Sequence, residues 1–262
     1  MAIEVFNRYE NKFVLDEDTY QNIQGKLLNY MELDEYNKNH EFYTISNVYY
    51  DTKDNHLIRN SLAKPKYKEK LRLRAYGIPK DDEKVYLEIK KKVYGLVNKR
   101  RTTLVLSEAY DFVSTGMKPE FKEYMNRQVI NEIEYILKIY DLEPKLYLAY
   151  DRKALFSKES RDLRITFDTN IRTRRYDLRL ENGDYGKKLL DNNEWLMEVK
   201  AENSIPIWLS KLLSECKIYK TSFSKYGKEH LRMISNNRKL KGEVKLCSKQ
   251  YLTQPQLIPQ YR

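Results

Sequence analysis

The chain has 262 residues and a formal net charge of +11, from 49 Lys and Arg residues against 38 Asp and Glu residues. Its two cysteines and three histidines are too few and too scattered for a disulfide framework, a cysteine zinc cluster or a Ser-His-Asp triad. No stretch approaches the roughly 18 apolar residues of a membrane span and the N-terminus lacks an apolar secretory core, so we expect a reduced, cytoplasmic protein with an anionic partner.

The N-terminal third of the chain alternates polar and apolar residues, as half-buried strands do. This pattern predicts strands over residues 5–15, 42–50 and 67–77. Between the first two, residues 19–31 have the spacing of an amphipathic helix, and Asp16 precedes them as a candidate N-cap.

The alternation continues through the rest of the chain, with further strands predicted over residues 84–92, 97–106, 145–156, 163–168 and 195–200. Helical patterns cover residues 107–140 and 206–216. Residues 235–262 are polar and aperiodic, so we expect one domain over residues 1–234 followed by a polar C-terminal tail over residues 235–262.

In most of the eight predicted strands one face is apolar and the other carries Lys, Arg or Glu. Arg72 and Arg74 lie two apart, and so do Glu198 and Lys200. For a single strand the ordinary interpretation is a solvent-exposed face. Because the same pattern recurs from strand to strand, we predict an α+β fold in which an eight-stranded antiparallel β-barrel turns its charged faces inward as a tunnel, with helices flanking the outside.

A tunnel lined with basic residues is suited to one class of ligand. Arginine forks match phosphate oxygens and lysines act as compact charges, so together they bind a linear polyphosphate. Carboxylates among them repel such a ligand unless they hold a divalent cation. Glu198 is the first candidate metal ligand, and Glu10, Glu88 and Asp168 are weaker ones. Each of the four has the alternative role of ion-pair partner to a neighbouring base.

Nine segments, in chain order, carry a family resemblance: Arg8-x-Glu10-x-Lys12, ISNVYYDT, LRLRAYG, LEIKKK, NKRRTTL, YDRKAL, LRITFDTNIR, LMEVK and SFSKYG. They resemble the catalytic domain of the vacuolar transporter chaperone (VTC) family, which belongs to the triphosphate tunnel metalloenzymes and is related to the CYTH proteins. Eukaryotic members often join this domain to a phosphate-sensing domain and a membrane anchor. We expect neither in this protein, because the sequence resembles a stand-alone bacterial form.

The resemblance implies an ATP-dependent polyphosphate polymerase that transfers the γ-phosphate of ATP to a growing chain, with Mn²⁺ or Mg²⁺. The expected partners are ATP and inorganic polyphosphate, and no nucleic acid. By motif position it implies phosphate-binding roles for Lys12, Arg72, Arg74, Lys90, Lys99, Arg152, Arg164, Ser224 and Lys225. Arg8, Arg101 and Lys200 fit the same inward faces. We expect Arg152, Arg164 and Lys225 to act in catalysis and Glu198 to hold the metal.

Two other functions stay open at this point. A tunnel triphosphatase or nucleoside triphosphatase needs the same bases and metal but uses water as the acceptor; ISNVYYDT and SFSKYG favour the VTC branch over it. A non-catalytic module that binds polyanions or nucleic acid is supported by the run Lys90–Lys92. Against it, the bases alternate with apolar residues inside strands.

Overall fold

The computed structural model describes residues 9–38, 41–94, 96–159, 162–202 and 204–240. The chain divides into two compact units, residues 1–229 and residues 230–262. Of the second unit, the structure describes residues 230–240, which are helical. That helix extends into the segment predicted as a tail, whose remainder lies outside the described residues, and the predicted boundary at residue 234 stays a prediction.

Within the described residues the fold is α+β, with ten strands and seven helices. The strands are β1 (Tyr9–Asp16), β2 (Met31–Leu33), β3 (Tyr43–Thr52), β4 (Tyr67–Tyr76), β5 (Lys84–Val93), β6 (Leu96–Val105), β7 (Leu142–Ser157), β8 (Arg164–Arg174), β9 (Lys187–Lys188) and β10 (Glu194–Ala201). The helices are α1 (Glu17–Leu27), α2 (Glu35–Lys38), α3 (His56–Leu62), α4 (Leu106–Thr115), α5 (Arg127–Ile139), α6 (Ile207–Glu215) and α7 (Lys225–Leu240).

One antiparallel sheet contains every strand, and its main path runs β1-β10-β8-β7-β3-β4-β5-β6. These eight are the eight strands that the sequence predicts; β2 pairs with β7 and β9 pairs with β8 beside that path. The predicted closure into a barrel is not observed, because no ladder joins β1 to β6 in the part of the chain that the structure describes. The Lys12 carbonyl of β1 instead accepts the N–H of Thr221 at 2.7 Å, so the segment before α7 takes part of the β1 edge.

The apolar faces of the strands are covered by helices, as the sequence predicts. Helices α4 and α5 pack on β4, β5 and β6, where Phe112 and Ile133 join Leu87 in one buried cluster. Helices α1 and α6 pack on β1, β8 and β10, and the Tyr20 ring stacks on Trp195 at 3.6 Å between centroids. This cover leaves the charged faces of the same strands on the concave side of the sheet.

The helices match the prediction only in part. The predicted helix over residues 107–140 is two helices, since α4 ends at Gly116 with a φ of 72°, a left-handed conformation that glycine adopts without strain. Helices α2, α3 and α7 have no predicted counterpart. In helix α1 the predicted N-cap is confirmed, because the Asp16 carboxylate accepts the Thr19 N–H at 2.8 Å. No helix among the described residues is both long and apolar enough to span a membrane.

Candidate functional site

The charged faces of the eight main strands line a pocket of about 340 Å³. Ten basic side chains line it, namely Lys12, Lys70, Arg72, Arg74, Lys90, Lys99, Arg152, Arg164, Lys200 and Lys225. Two carboxylates join them, Glu10 and Glu198. Because alternate residues of a strand share a face, one strand contributes several of these bases. Such an excess of positive charge in a concave site attracts a strongly anionic ligand.

The sheet curves so that side chains of β1 and β5 meet. Glu10 lies on β1, the first strand of the path, and Lys90 lies on β5, the seventh. Lys90 Nζ is 3.7 Å from a carboxylate oxygen of Glu10. Side chains of β1 and β5 therefore meet across the pocket, although no backbone ladder joins β1 to β6 among the described residues.

Asp168, Arg152 and Lys225 form a buried ion cluster in the pocket wall. Arg152 donates to both oxygens of Asp168, at 2.6 Å from Nε and 2.8 Å from Nη2. Lys225 Nζ, at the start of α7, donates to the same carboxylate at 2.5 Å. Burial alone lowers the pKa of Lys225, but the charges of Asp168 and Glu198 outweigh it and raise this pKa above its ordinary value. Lys225 thus keeps its charge inside the wall.

Glu198 is the second buried anion of the site. Lys12 lies between it and Glu10, with Nζ 3.1 Å from each carboxylate. Despite burial, the charges of Lys12 and Lys225 hold the pKa of Glu198 well below its ordinary value. Burial also acts to raise the pKa of Glu10, but Lys90 and Lys200 lower it to about 2. Both carboxylates are therefore ionised at neutral pH.

Glu88 lies on the same face of β5 as Lys90, is buried, and pairs with a third group of bases. Arg72 Nε donates to it at 2.7 Å, and Lys99 Nζ lies 2.8 Å from its other oxygen. Arg74 Nε lies 3.8 Å away and donates to Asn47 Oδ1 at 2.9 Å. These contacts hold the three basic side chains in place before any ligand arrives.

In three lysines of the pocket, burial lowers the pKa by more than nearby anionic groups raise it. Burial lowers the pKa of Lys70 and of Lys200 to about 8, and that of Lys99 to about 7. In Lys99 the attraction of Glu88 opposes burial, while Arg74 and Arg72 add to the lowering. An anionic ligand stabilises the charged forms of all three, so these lysines favour anion binding.

The sequence resemblance implies a divalent metal, which needs oxygen ligands from the pocket. No group of three or more His, Cys, Asp or Glu side chains among the described residues has the arrangement of a metal site. Magnesium, however, commonly takes one or two carboxylates and completes its shell with water and substrate phosphates. Glu10 and Glu198, on neighbouring strands with Lys12 between them, fit that mode. All four carboxylates form ion pairs, but Glu88 and Asp168 do not line the pocket.

Ten of the twelve side chains expected to bind phosphate line the pocket. Arg8 lies outside the described residues. Arg101 is exposed and lies beyond the pocket lining, with its guanidinium 4.6 Å from the ring centre of Tyr86. The roles of all twelve in binding and catalysis stay predictions.

Five lining residues are not among the site residues predicted from the sequence: Tyr49, Lys70, Val97, Tyr150 and Tyr226. The signal for Lys70 was present, because it precedes Arg72 by two positions on the same strand face. Tyr49 and Tyr226 belong to the segments ISNVYYDT and SFSKYG. The alternation of polar and apolar residues does not distinguish a tyrosine that lines a pocket from one that packs in the core.

The segment SFSKYG places Lys225 by local contacts. Ser224 Oγ accepts the N–H of Gly227 at 3.2 Å, which caps the start of α7. Tyr226 OH donates to the buried Asp51 at 3.1 Å, and Asp51 also accepts the N–H of Leu57 at the start of α3. The first turn of α7 is thereby tied to β3 and α3, with Lys225 directed into the pocket wall.

The family model of the VTC domain matches residues 7–234. No curated protein matches the sequence. Among solved structures, a candidate adenylate cyclase from Bacillus halodurans is 15% identical with a TM-score of 0.53, covering 85% of this chain and 96% of its own. A candidate adenylyl cyclase from Hippeastrum, described as having a dominant triphosphatase activity, is 15% identical with a TM-score of 0.48, covering 90% of this chain and 97% of its own. The first of these likenesses concerns the fold alone.

Proposed function

This chain belongs to the VTC domain family, and from that membership and its basic pocket we propose that it is an ATP-dependent polyphosphate polymerase. Residues 1–234 form the catalytic domain in this proposal, and its substrates are ATP and inorganic polyphosphate. The observation that carries it is the pocket itself, where ten bases face two carboxylates on one concave surface. A linear polyphosphate supplies the repeated negative charge that such a surface needs.

The proposed reaction transfers one phosphoryl group. A terminal oxygen of the polyphosphate acceptor attacks the γ-phosphorus of ATP, the bond from that phosphorus to the β–γ bridging oxygen breaks, and ADP leaves with the electron pair. A new P–O–P link lengthens the acceptor by one phosphate. Positioning and neutralisation of charge carry most of such a reaction, so no protein nucleophile is required.

Arg152, Arg164 and Lys225 are the proposed catalytic side chains. Arg152 and Lys225 are fixed by Asp168, so their charges are in place before the transition state forms. Arg164 Nη2 lies 3.3 Å from Asp34, and its side chain is more exposed than those of Arg152 and Lys225. It therefore meets the phosphates from the solvent side of the pocket in this proposal. The remaining bases of the pocket, with Ser224, hold the phosphate chain.

Mn²⁺ or Mg²⁺ is the proposed cofactor, held by Glu198 and Glu10. When bound, it neutralises phosphate oxygens that the lysines and arginines leave uncovered.

The proposed transfer needs no general base, because the attacking oxygen of the polyphosphate acceptor is already an anion.

We further propose that the curved sheet encloses its ligand as a tunnel. The contact between Glu10 and Lys90 supports this, because it brings side chains of β1 and β5 together across the gap in the ladder. A chain threaded through the site then stays bound between successive transfers.

The test of this function measures two products of ATP in the presence of Mn²⁺. If the protein is a polymerase, ADP should form with far less than one orthophosphate released for each ADP. Equal amounts of ADP and orthophosphate would identify a triphosphatase, and the absence of ADP formation while polyphosphate still binds would identify a binding module.

A further inference from the structure

Large apolar side chains are open to solvent where β5 and β6 are joined. Strand β5 ends at Val93, which is 39% exposed, and β6 begins at Leu96, which is 59% exposed. Tyr94 lies between the two strands and is 74% exposed. Single apolar side chains on a surface are ordinary, but a contiguous group of them is typical of an interaction site. We refer to Val93, Tyr94 and Leu96, together with Tyr67 at the start of β4, as the hairpin tip.

The hairpin tip lies on the opposite face of the sheet from the phosphate pocket. Val93 pairs with Tyr67 on one side and with Leu96 on the other, so these three side chains point to the same face. The neighbouring pair, Lys68 and Lys92, points to the other face. Among the described residues, the pocket lining includes no member of the hairpin tip. The hairpin tip is therefore a separate surface.

The helices that cover this face of the sheet stop short of the hairpin tip. Along alternate positions of β4, Leu71 is buried in the cluster under α4 and α5, Glu69 is also buried, and Tyr67 is 44% exposed. Tyr67 OH donates to the Glu69 carboxylate at 2.7 Å, and the N–H of Tyr94 donates to the carbonyl of Lys66 at 2.8 Å. The hairpin tip thus extends beyond the core while its backbone and one ring are held by hydrogen bonds.

Lysines flank the hairpin tip. Lys64 and Lys66 precede β4, and Lys66 Nζ lies 5.5 Å from the ring centre of Tyr94. None of Lys64, Lys66, Lys68 and Lys92 forms an ion pair within the described ranges of the chain. Burial, and then the charges of Lys92 and Lys64, lower the pKa of Lys68, so an adjacent anionic surface stabilises its charged form.

Apolar side chains flanked by unpaired lysines are suited to a bilayer that carries anionic headgroups. Tyrosine is enriched at the membrane–water interface, and clustered lysines are attracted to anionic lipids. Lysine acts there as a point charge and needs no fixed geometry. A stable protein interface, in contrast, takes about 800 Å² and about 20 residues on each side. The hairpin tip consists of four side chains and is too small for that.

We propose that the hairpin tip binds the surface of an anionic lipid bilayer. Tyr94 and Leu96 enter the boundary between headgroups and acyl chains, and Lys64 and Lys66 contact the headgroup phosphates. Such binding is peripheral, with strength set by the buried apolar area and by attraction to anionic lipids. It uses a surface outside the pocket and does not depend on the proposed reaction.

Sedimentation with lipid vesicles measures this binding for the full chain. The wild type should sediment with vesicles of phosphatidylcholine and phosphatidylserine, stay in solution with phosphatidylcholine alone, and dissociate as salt is added. Equal binding to both kinds of vesicle would contradict the role of the lysines. Absence of binding to the anionic vesicles would overturn the proposal.

A double variant tests the apolar side chains of the hairpin tip. Tyr94→Ser with Leu96→Ser should weaken binding to anionic vesicles about tenfold or more, because two apolar side chains no longer enter the bilayer. The matched control is Ile207→Ser with Tyr219→Ser, which removes an aliphatic residue and a tyrosine that are 76% and 78% exposed elsewhere. It should bind within about twofold of the wild type.

A second double variant tests the charge. Lys64→Ala with Lys66→Ala should also weaken vesicle binding about tenfold or more. Lys26→Ala with Lys211→Ala removes the same charge from exposed positions on α1 and α6 and should bind like the wild type. Equal losses in the variants of the hairpin tip and in their controls would show that net charge alone attracts the vesicle, and the proposal would be wrong.

Insertion is tested separately with Tyr94→Trp. Lipids brominated on their acyl chains should quench its fluorescence beyond any quenching of the wild type, and absence of that extra quenching would contradict insertion. Urea denaturation should give every variant the midpoint of the wild type, so that lost binding is not lost folding. Self-association that disappears in Tyr94→Ser with Leu96→Ser, without vesicle binding by the wild type, would assign the hairpin tip to a contact between copies of the chain and overturn the lipid site.

Discussion

Glu198, Glu88 and Asp168 are buried carboxylates that each hold two or more basic side chains. Burying a charge is costly unless it is paired, so the wall carries its own counter-charges. The bases are consequently held in place while the pocket retains a positive excess. A glutamate two residues before a lysine therefore has two possible roles in the sequence, as ion-pair partner or as pocket residue. Glu198 has both, because it pairs with Lys12 and Lys200 and also lines the pocket.

Glu198→Gln should separate catalysis from binding. We expect turnover to fall about 100-fold or more, because the amide is a poor metal ligand. Binding of tripolyphosphate without metal should be unchanged or tighter, since a carboxylate that repels the ligand is gone. Calorimetry in a chelating buffer and a product assay with Mn²⁺ measure the two effects.

The matched control is Glu202→Gln, which alters an exposed carboxylate just past the end of β10. It should leave both measurements unchanged. Full turnover by Glu198→Gln would remove Glu198 from the metal site.

The lysines with lowered pKa predict that anion binding weakens as pH rises. The pKa of Lys99 is about 7 and those of Lys70 and Lys200 are about 8, so these groups lose their protons between about pH 7 and about pH 8 in the unliganded protein. Affinity for tripolyphosphate should be highest below this range and fall through it, with proton uptake on binding near pH 8. Calorimetry in two buffers of different ionisation enthalpy measures both.

The ligand gains negative charge as pH rises, because a phosphate monoester loses its second proton near pH 6. Titration of the ligand therefore does not account for a fall in affinity at higher pH. Lys70→Arg should flatten the fall in affinity, because arginine stays protonated. Affinity that stays constant or increases from about pH 7 to about pH 9 would contradict the role of these lysines.

At the scale of elements, alternation of polar and apolar residues predicted the strands and their inward faces. All eight strands of the main path were found, and ten of twelve expected phosphate-binding side chains line one pocket. Helix α7 was missed because few of its residues are apolar, and because its start is fixed by contacts distant in sequence. The bond from Tyr226 to Asp51 spans 175 positions, and no local pattern predicts it.

Asp51 should be a strong determinant of stability because it joins three elements. Its buried carboxylate accepts hydrogen bonds from Leu57 N and Ile58 N at the start of α3, and from Tyr226 OH on α7. Asp51→Ala leaves these donors unpaired, so the free energy of unfolding should fall by about 2–3 kcal/mol in urea denaturation. The exposed Asp82→Ala should change it by less than about 0.5 kcal/mol. A loss no larger than that of the control would show that α7 is held by other contacts.

At the scale of the molecule, the net charge of +11 proved to be unevenly placed. Ten bases are gathered on one concave surface, as the alternation within the strands predicted, whereas the net charge by itself indicated only an anionic partner. The predicted closed barrel is not observed. Alternation within a strand predicts which of its faces is charged, but it does not predict which segment pairs with the edge strands β1 and β6. Here Thr221 occupies part of the β1 edge, and the gap is crossed by side chains such as Lys90 and Glu10.

The most direct test of the proposed polymerase follows the γ-phosphate itself. ATP labelled at the γ-phosphate is mixed with excess protein, Mn²⁺ and a polyphosphate primer of defined length, and the products of one turnover are resolved on a gel. We predict that the label appears in primer lengthened by one phosphate while ADP is released. Label recovered as orthophosphate, with the primer unchanged, would contradict the polymerase.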